Sequence, residues 1–351
     1  MAQRQMMKGN EAIAEAAVRA GCRYFFGYPI TPQNEIPEYM SKRLPEVGRT
    51  FLQAESEVSA INMVYGAAGA GARVMTSSSS PGISLKQEGI SYIVGAELPC
   101  VIVNIVRGGP GLGSIQPAQS DYFQATRGGG HGDYNMCVLA PSTVQEAVDL
   151  IGLAFDIADK YRNPVMLLGD GVIGQMMEPV TLPDEADVKP VEKKWAATGW
   201  KKDGSRERAV INSLYIQPDE CEMHNLKLHD RTQLLAKNEL RFKTDYMDDA
   251  EKAIVAYGTT ARIAITAVKQ LREMGHKVGL IRPITLWPFP SEYIASVAGN
   301  LKSILTVEMS LGQMVEDVRL AVNGKCPVKF YGRTGGVLPG VDEMIAQVLK
   351  D

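Results

Sequence analysis

Phe51-Leu-Gln-Ala-Glu-Ser-Glu-Val-Ser-Ala-Ile-Asn-Met-Val-Tyr-Gly-Ala-Ala-Gly-Ala-Gly-Ala-Arg73 sets two acids, Glu55 and Glu57, at the mouth of a segment that turns small and apolar. Val58, Ile61, Met63 and Val64, with Ala60, Ala67 and Ala68, predict a helix buried on most of its faces. Gly66, Gly69 and Gly71 would each cost an exposed helix about 1 kcal/mol relative to alanine, so another element is expected to pack closely here. A carboxylate at the head of a buried helix is favoured by the unpaired N–H groups and the dipole there. On spacing alone, Glu55 and Glu57 read either as first-turn acids of a core helix or as functional carboxylates.

The flanking segments alternate strand and helix. Upstream, Gly9 to Gly21 repeats alanine and isoleucine at helical spacing, and Cys22 to Gly27 predicts a short buried strand. That strand stops at Tyr28-Pro-Ile-Thr-Pro32, and Gln33 to Ser41 resumes as a helix. The prolines force extended backbone at Tyr28 and Thr31. They hold the threonine at the carboxyl end of a strand, where open α/β sheets bind ligands; the same prolines could simply start a helix. Downstream, Arg73 to Thr76 predicts a strand, Ser77-Ser-Ser-Ser-Pro-Gly82 a turn rich in donors, and Ile83 to Leu98 a helix. Pro99 to Val106 is a near-continuous apolar strand of the buried parallel type, with Arg107 at its end. A guanidinium there suits bidentate binding of a carboxylate better than a core. A Gly-rich stretch follows, with no Walker lysine or dinucleotide pattern, and His131 within it reads equally as structural or functional. Met136 to Ala140 and Pro164 to Leu168 supply further strands around a helix from Ser142 to Tyr161, opened by a capping-box-like Ser142-Thr-Val-Gln145.

The pattern predicts an α/β protein of two doubly wound parallel-sheet domains: residues 1–182, a charged connector over 183–250 with one or two polar helices, and a smaller domain over 251–351. A length of 351 residues suits that division. Composition is ordinary for a soluble protein, 45% hydrophobic and 22% charged, and a net charge of -3 leaves no basic footprint for nucleic acid or a membrane. No apolar run is long enough to span a bilayer and the first residues lack a signal-peptide core, so a cytoplasmic location is expected. Cys22, Cys100, Cys137, Cys221 and Cys326 lie far apart, against a disulfide framework, a zinc knuckle or an iron–sulfur cluster held by this chain alone. Leu168-Gly-Asp-Gly171 imitates the opening of a thiamine diphosphate magnesium motif. No asparagine follows between Gly171 and Val210, so Asp170 is expected to be a loop or capping residue and the chain to hold no metal.

Four motifs nevertheless stand in register: Tyr28-Pro-Ile-Thr-Pro32, Ala54-Glu-Ser-Glu-Val-Ser-Ala-Ile61 leading to Gly66, Ser80-Pro-Gly-Ile-Ser84, and Ile281-Arg-Pro-Ile-Thr-Leu-Trp-Pro-Phe-Pro290. Together they resemble the alpha subunit of 2-oxoacid:ferredoxin oxidoreductases over essentially the whole chain apart from the connector. Gln53-Ala-Glu-Ser-Glu57, Asn62-Met-Val-Tyr-Gly66 and Ser84-Leu-Lys-Gln-Glu-Gly89 are most similar to the branched-chain type acting on 2-oxoisovalerate.

The resemblance implies a thiamine diphosphate pyrimidine-binding domain joined to a transketolase C-terminal-like domain, and an active site split between chains. The cofactor would be shared with a beta subunit holding its diphosphate and Mg2+, while partner subunits, one of them ferredoxin-like, would carry iron–sulfur clusters. A dimer of such heteromers would pass electrons to ferredoxin and the acyl group to CoA. The family's glutamate precedes its glycine by nine residues, which selects Glu57 over Glu55. Its carboxyl would bond the aminopyrimidine ring nitrogen and favour the tautomer that takes the thiazolium proton. Pro29 and Ile30 would line the cofactor site, and Thr31 and Arg107 would hold the substrate carboxylate. The same reaction on 2-oxoglutarate or pyruvate, a transketolase-like activity and a non-catalytic structural subunit are the competing expectations. Lys86 is a possible cation for the distal carboxylate of 2-oxoglutarate, or a solvent-facing residue.

Overall fold

The computed structural model describes residues 4–184, 193–200 and 202–350, so part of the expected connector lies outside the described residues. The first half comprises β1 (Gln5–Lys8), α1 (Gly9–Arg19), β2 (Tyr24–Gly27), α2 (Glu35–Glu46), β3 (Thr50–Gln53), α3 (Glu57–Gly69), β4 (Val74–Ser78), α4 (Ser80–Gly95), β5 (Val101–Val106), α5 (Tyr122–Thr126), β6 (Cys137–Leu139), α6 (Val144–Tyr161), β7 (Val165–Asp170), α7 (Gly171–Gln175) and β8 (Met177–Val180). The second comprises α8 (Pro218–Glu239), β9 (Phe242–Asp245), β10 (Lys252–Val255), α9 (Gly258–Glu273), β11 (Val278–Pro283), β12 (Thr285–Trp287), α10 (Ser291–Ala298), β13 (Ser303–Glu308), α11 (Met314–Val322), β14 (Val328–Gly332) and α12 (Val341–Leu349).

The larger sheet has the order β12-β6-β7-β5-β4-β2-β3 and the smaller β14-β13-β10-β11-β9. Both are parallel except for one edge strand each: β12 runs antiparallel to β6, and β9 antiparallel to β11. Along β5 the side chains alternate between cores, as strand geometry dictates. Val101, Val103 and Ile105 join the layer beneath α1, α2 and α6, whereas Ile102 and Val106 join the layer holding Ile61 of α3 and Ile90 of α4. That second layer continues into the smaller domain through Val255, Ile281 and Ile304 of its sheet and Val318 of α11. The two domains thus share a core.

Several elements differ from the sequence reading. The strand at 73–76 runs on through Ser78 and α4 begins at Ser80, so the expected serine turn shrinks to Ser79. The cap of α6 is Thr143, whose hydroxyl accepts from the Glu146 amide at 3.0 Å, rather than Ser142. Within 183–250, α8 is held against the first domain by ion pairs of Lys227 and Arg231 with Glu97, and β9 is a strand of the smaller sheet. Among the described residues no helix is long and apolar enough to cross a membrane.

Candidate active site

Four parallel strands deliver their carboxyl ends to one edge of the larger sheet: β2 to Tyr28–Pro32, β4 to Ser79, β5 to Arg107 and β7 to Asp170. Glu57 opens α3 at that edge. Ser56 caps the helix by accepting from the Ser59 amide at 3.2 Å, freeing the Glu57 side chain from capping duty. Glu57 is 7% exposed, while Glu55 lies in solvent. No described residue donates a hydrogen bond to the Glu57 carboxylate. Its oxygens are not among the sealed, unpartnered polar atoms of the site, so the carboxylate is open to a donor brought by a ligand.

The carboxylate rests on the first turn of α4. A Cβ at Gly82 would lie 2.7 Å from Glu57 Oε1 and would also strike Ser78 Oγ. Ser78 and Ser79 hydroxyls are buried there without partners. These groups fit the polar edge of an aminopyrimidine, which offers both donors and acceptors. The close approach expected around α3 comes from α4, where a Cβ at Gly89 would meet Ile61 Cγ2 at 2.5 Å. Gly66 has open space instead, and Val58 (45% exposed) and Met63 (36%) face outward. The expectation of a helix buried on most faces therefore fails on one side.

Thr31 and Arg107 come together. Arg107 Nη1 donates to the Thr31 carbonyl at 2.9 Å and Nη2 to the Leu112 carbonyl at 3.1 Å. The guanidinium is buried rather than open, and its Nε has no partner. Thr31 is exposed, as is Pro29, with Ile30 half-buried between them. Ser80 links this pair to Glu57: its hydroxyl accepts from the Arg107 amide at 3.1 Å, two residues before Gly82 on α4. Thr31 also lines a cavity of about 540 Å³ between the domains, with Glu35, Gln116, Gly171 and Gly336. A cavity of about 580 Å³ sits at the amino ends of β2 and β4, beside Arg23 and Arg73, away from these groups.

The other singled-out residues have defined places. Lys86 is neither solvent-facing nor open to a distal carboxylate: it is fully buried, donating to Thr76 Oγ1 at 3.1 Å and the Glu57 carbonyl at 3.5 Å. His131 is exposed and meets the Tyr92 ring edge-on, 5.9 Å between centroids. Asp170 caps α7, accepting from the Val172 and Ile173 amides at 2.8 and 3.2 Å and from Thr259 Oγ1 at 2.9 Å. Burial raises its pKa, against those hydrogen bonds. Among the described residues no three His, Cys, Asp or Glu side chains are grouped to hold a metal ion. Sequence reasoning missed Ser78, Ser79 and Gly82 as parts of the Glu57 site. The signal was present in Gly82, Lys86 and Gly89, a stripe at helical spacing that faces α3.

A carboxylate without a donor among the described residues, at the carboxyl edge of a parallel sheet joined to a second parallel-sheet domain, marks the chain as a two-domain open α/β protein with a ligand site at that edge. Residues 15–241 match pyruvate flavodoxin/ferredoxin oxidoreductase, thiamine diphosphate-binding, and residues 250–344 match pyruvate:ferredoxin oxidoreductase core domain II. The chain belongs to this 2-oxoacid oxidoreductase family, as the subunit carrying its pyrimidine domain. It is 51% identical over 98% of its length to ketoisovalerate oxidoreductase subunit VorB of Methanothermobacter thermautotrophicus, covering 97% of that protein. It is 37% identical to 2-oxoglutarate synthase subunit KorA of the same organism, over 100% of this chain and 99% of the other. Among solved structures, 2-oxoglutarate:ferredoxin oxidoreductase from Magnetococcus marinus shares the fold, with a TM-score of 0.87 and 24% identity. That alignment covers 99% of this chain and spans 65% of the other. A split-gene transketolase shares it more distantly, with a TM-score of 0.60, 15% identity and 97% coverage of each chain.

Proposed function

We propose that this chain, with partner subunits, oxidatively decarboxylates 2-oxoisovalerate in the presence of CoA, giving the acyl-CoA, CO2 and reduced ferredoxin. The observation that carries the reading is Glu57, a residue only 7% exposed whose carboxylate has no hydrogen-bond donor among the described residues and lies against Gly82. Thiamine diphosphate, when bound, supplies the carbanion chemistry that removes CO2 from a 2-oxoacid. Glu57 would share a proton with the pyrimidine ring nitrogen, while Pro29 and Ile30 would line the cofactor's edge. Thr31 and Arg107 would orient the substrate carboxylate: Thr31 is exposed, and Arg107 Nε is the unused donor of a guanidinium otherwise fixed by two carbonyls. Fixing the carboxylate removes much of the entropic barrier to attack on the neighbouring keto carbon.

The branched-chain substrate is supported by the 51% identity to the ketoisovalerate oxidoreductase subunit. The burial of Lys86 supports it too, because that ammonium is enclosed between α3 and β4 rather than offered to a distal carboxylate. A partner subunit supplying the diphosphate and Mg2+ site, with clusters on further chains, would cover the outward apolar faces of α3 (Val58, Met63) and α4 (Leu85, Tyr92). The test is CoA-dependent viologen reduction by the anaerobically purified complex with 2-oxoisovalerate, 2-oxoglutarate and pyruvate in parallel. Preference for 2-oxoisovalerate is the expected result. Preference for another acid would overturn the substrate, and no reduction by a cluster-loaded complex would overturn the activity.

A further inference from the structure

Lys86 is a lysine with 0% exposure and no carboxylate within ion-pair distance among the described residues. Its ammonium donates to one hydroxyl, Thr76 Oγ1, and one carbonyl, that of Glu57. Enclosing a cation this way is unfavourable unless a nearby charge offsets it. The titratable groups on the surrounding elements are few. On α3, Tyr65 turns to Ser213; on α4, Glu88 bonds the Tyr92 hydroxyl; β4 carries none. Among the described residues, Glu57 is the charge that acts on Lys86. Its carboxylate in turn has no donor among them. The two residues are each other's electrostatic complement between the first turn of α3 and the second turn of α4.

We propose that Lys86 is a positioning residue for Glu57: its ammonium anchors the first residue of α3 through the backbone carbonyl and sets a positive charge beside the site where that residue meets the cofactor. The inference rests on Glu57 meeting the cofactor ring nitrogen. Given that contact, a cation behind the carboxylate favours the shared proton lying on the ring nitrogen rather than on Glu57. No net proton is gained or lost; its resting place along one hydrogen bond shifts. Burial pushes the Lys86 ammonium down to about 8, with the Glu57 charge pulling the other way, so this bias is present at neutral pH and fades in mild alkali.

The test compares wild type, Lys86→Met and Lys86→Gln in the assembled complex, with Glu57→Gln alongside. Glutamine keeps a donor without the charge. Both Lys86 variants are expected to lower kcat about tenfold at neutral pH, to leave KM for the 2-oxoacid within about twofold, and to lose the wild-type alkaline limb near pH 8. A second readout needs no activity: the thermal midpoint of the cofactor-free full chain against pH. The native ammonium loses its proton near 8 and the unfolded one near 10.5, so wild type gains stability relative to Lys86→Met as pH rises between those values. Wild-type kcat and alkaline limb in Lys86→Gln would reduce Lys86 to a hydrogen-bonding strut, and a flat stability difference would remove its charge from the site. Either overturns the proposal. Full activity of Glu57→Gln would instead overturn the reading beneath it, and would leave the stability difference in place.

Discussion

Glu57 and Arg107 are buried polar groups with different obligations. The Glu57 carboxylate bonds no described residue, so Glu57→Gln changes what a ligand meets more than what the fold needs. Activity of the complex is expected to fall by about 10²–10⁴-fold, the usual contribution of a positioned acid or base, with subunit assembly intact by size-exclusion chromatography. Unchanged turnover would remove Glu57 from the chemistry. Arg107 spans the Thr31 and Leu112 carbonyls with two nitrogens and keeps Nε in reserve. Lysine keeps the charge but cannot reproduce that planar fork. Arg107→Lys should therefore raise KM for the 2-oxoacid about 10–100-fold, a loss of roughly 1.4–2.8 kcal/mol, with a smaller change in kcat. Steady-state kinetics with 2-oxoisovalerate would show it, and an unchanged KM would separate Arg107 from the carboxylate.

At the scale of elements, the site depends on how closely α4 approaches α3. Gly82 and Gly89 lie two turns apart on the face of α4 that meets Glu57 and Ile61. Gly89→Ala would drive a methyl into the buried, β-branched Ile61, at 2.5 Å from Cγ2. Overpacking of this kind costs about 1–3 kcal/mol and should lower the thermal midpoint of the free chain. Gly66→Ala makes the opposite prediction. Its Cβ enters open space within α3, so the free chain should gain up to about 1 kcal/mol of stability by helix propensity alone. A destabilised Gly66→Ala chain would show that the open space is filled. The sequence made α3, its leading acids and its glycines readable, because apolar spacing and composition are local signals. It did not reveal which glycines are contacted: Gly66 and Gly89 look alike in sequence, and only the packing of α4 tells them apart. Lys86 could have been placed by the same spacing, four residues after Gly82, had its charge not suggested solvent.

At the scale of the molecule, the alternation of strands and helices announced two parallel sheets, and the shared core and edge strands were hidden in non-local pairing. Thr285-Leu-Trp287, crowded by Pro283 and Pro288, reads as loop, yet it pairs antiparallel with β6 of the other domain. The motif holding it also provides a largely buried ion pair between the domains. Arg282 is 5% exposed and meets both Glu146 oxygens, Nη1 to Oε2 at 2.6 Å and Nη2 to Oε1 at 2.9 Å. Nη1 also bonds Ser142 Oγ at 3.0 Å. Burial acts to raise the Glu146 carboxyl, but the Arg282 hydrogen bonds and charge outweigh it and hold the pKa below the ordinary 4.5. Removing one partner of such a pair leaves a buried charge uncompensated, so Glu146→Gln should destabilise the chain by about 3–5 kcal/mol. The pH dependence fixes the mechanism. A carboxyl whose native pKa lies below its unfolded value stabilises the fold above 4.5 and loses that contribution as pH falls through the native value. Thermal unfolding of wild type and Glu146→Gln should therefore differ most near neutrality and converge in acid. A gap that stayed constant into acid would mean that the glutamine acts through packing, and that the Arg282 pair does not hold the two sheets in register.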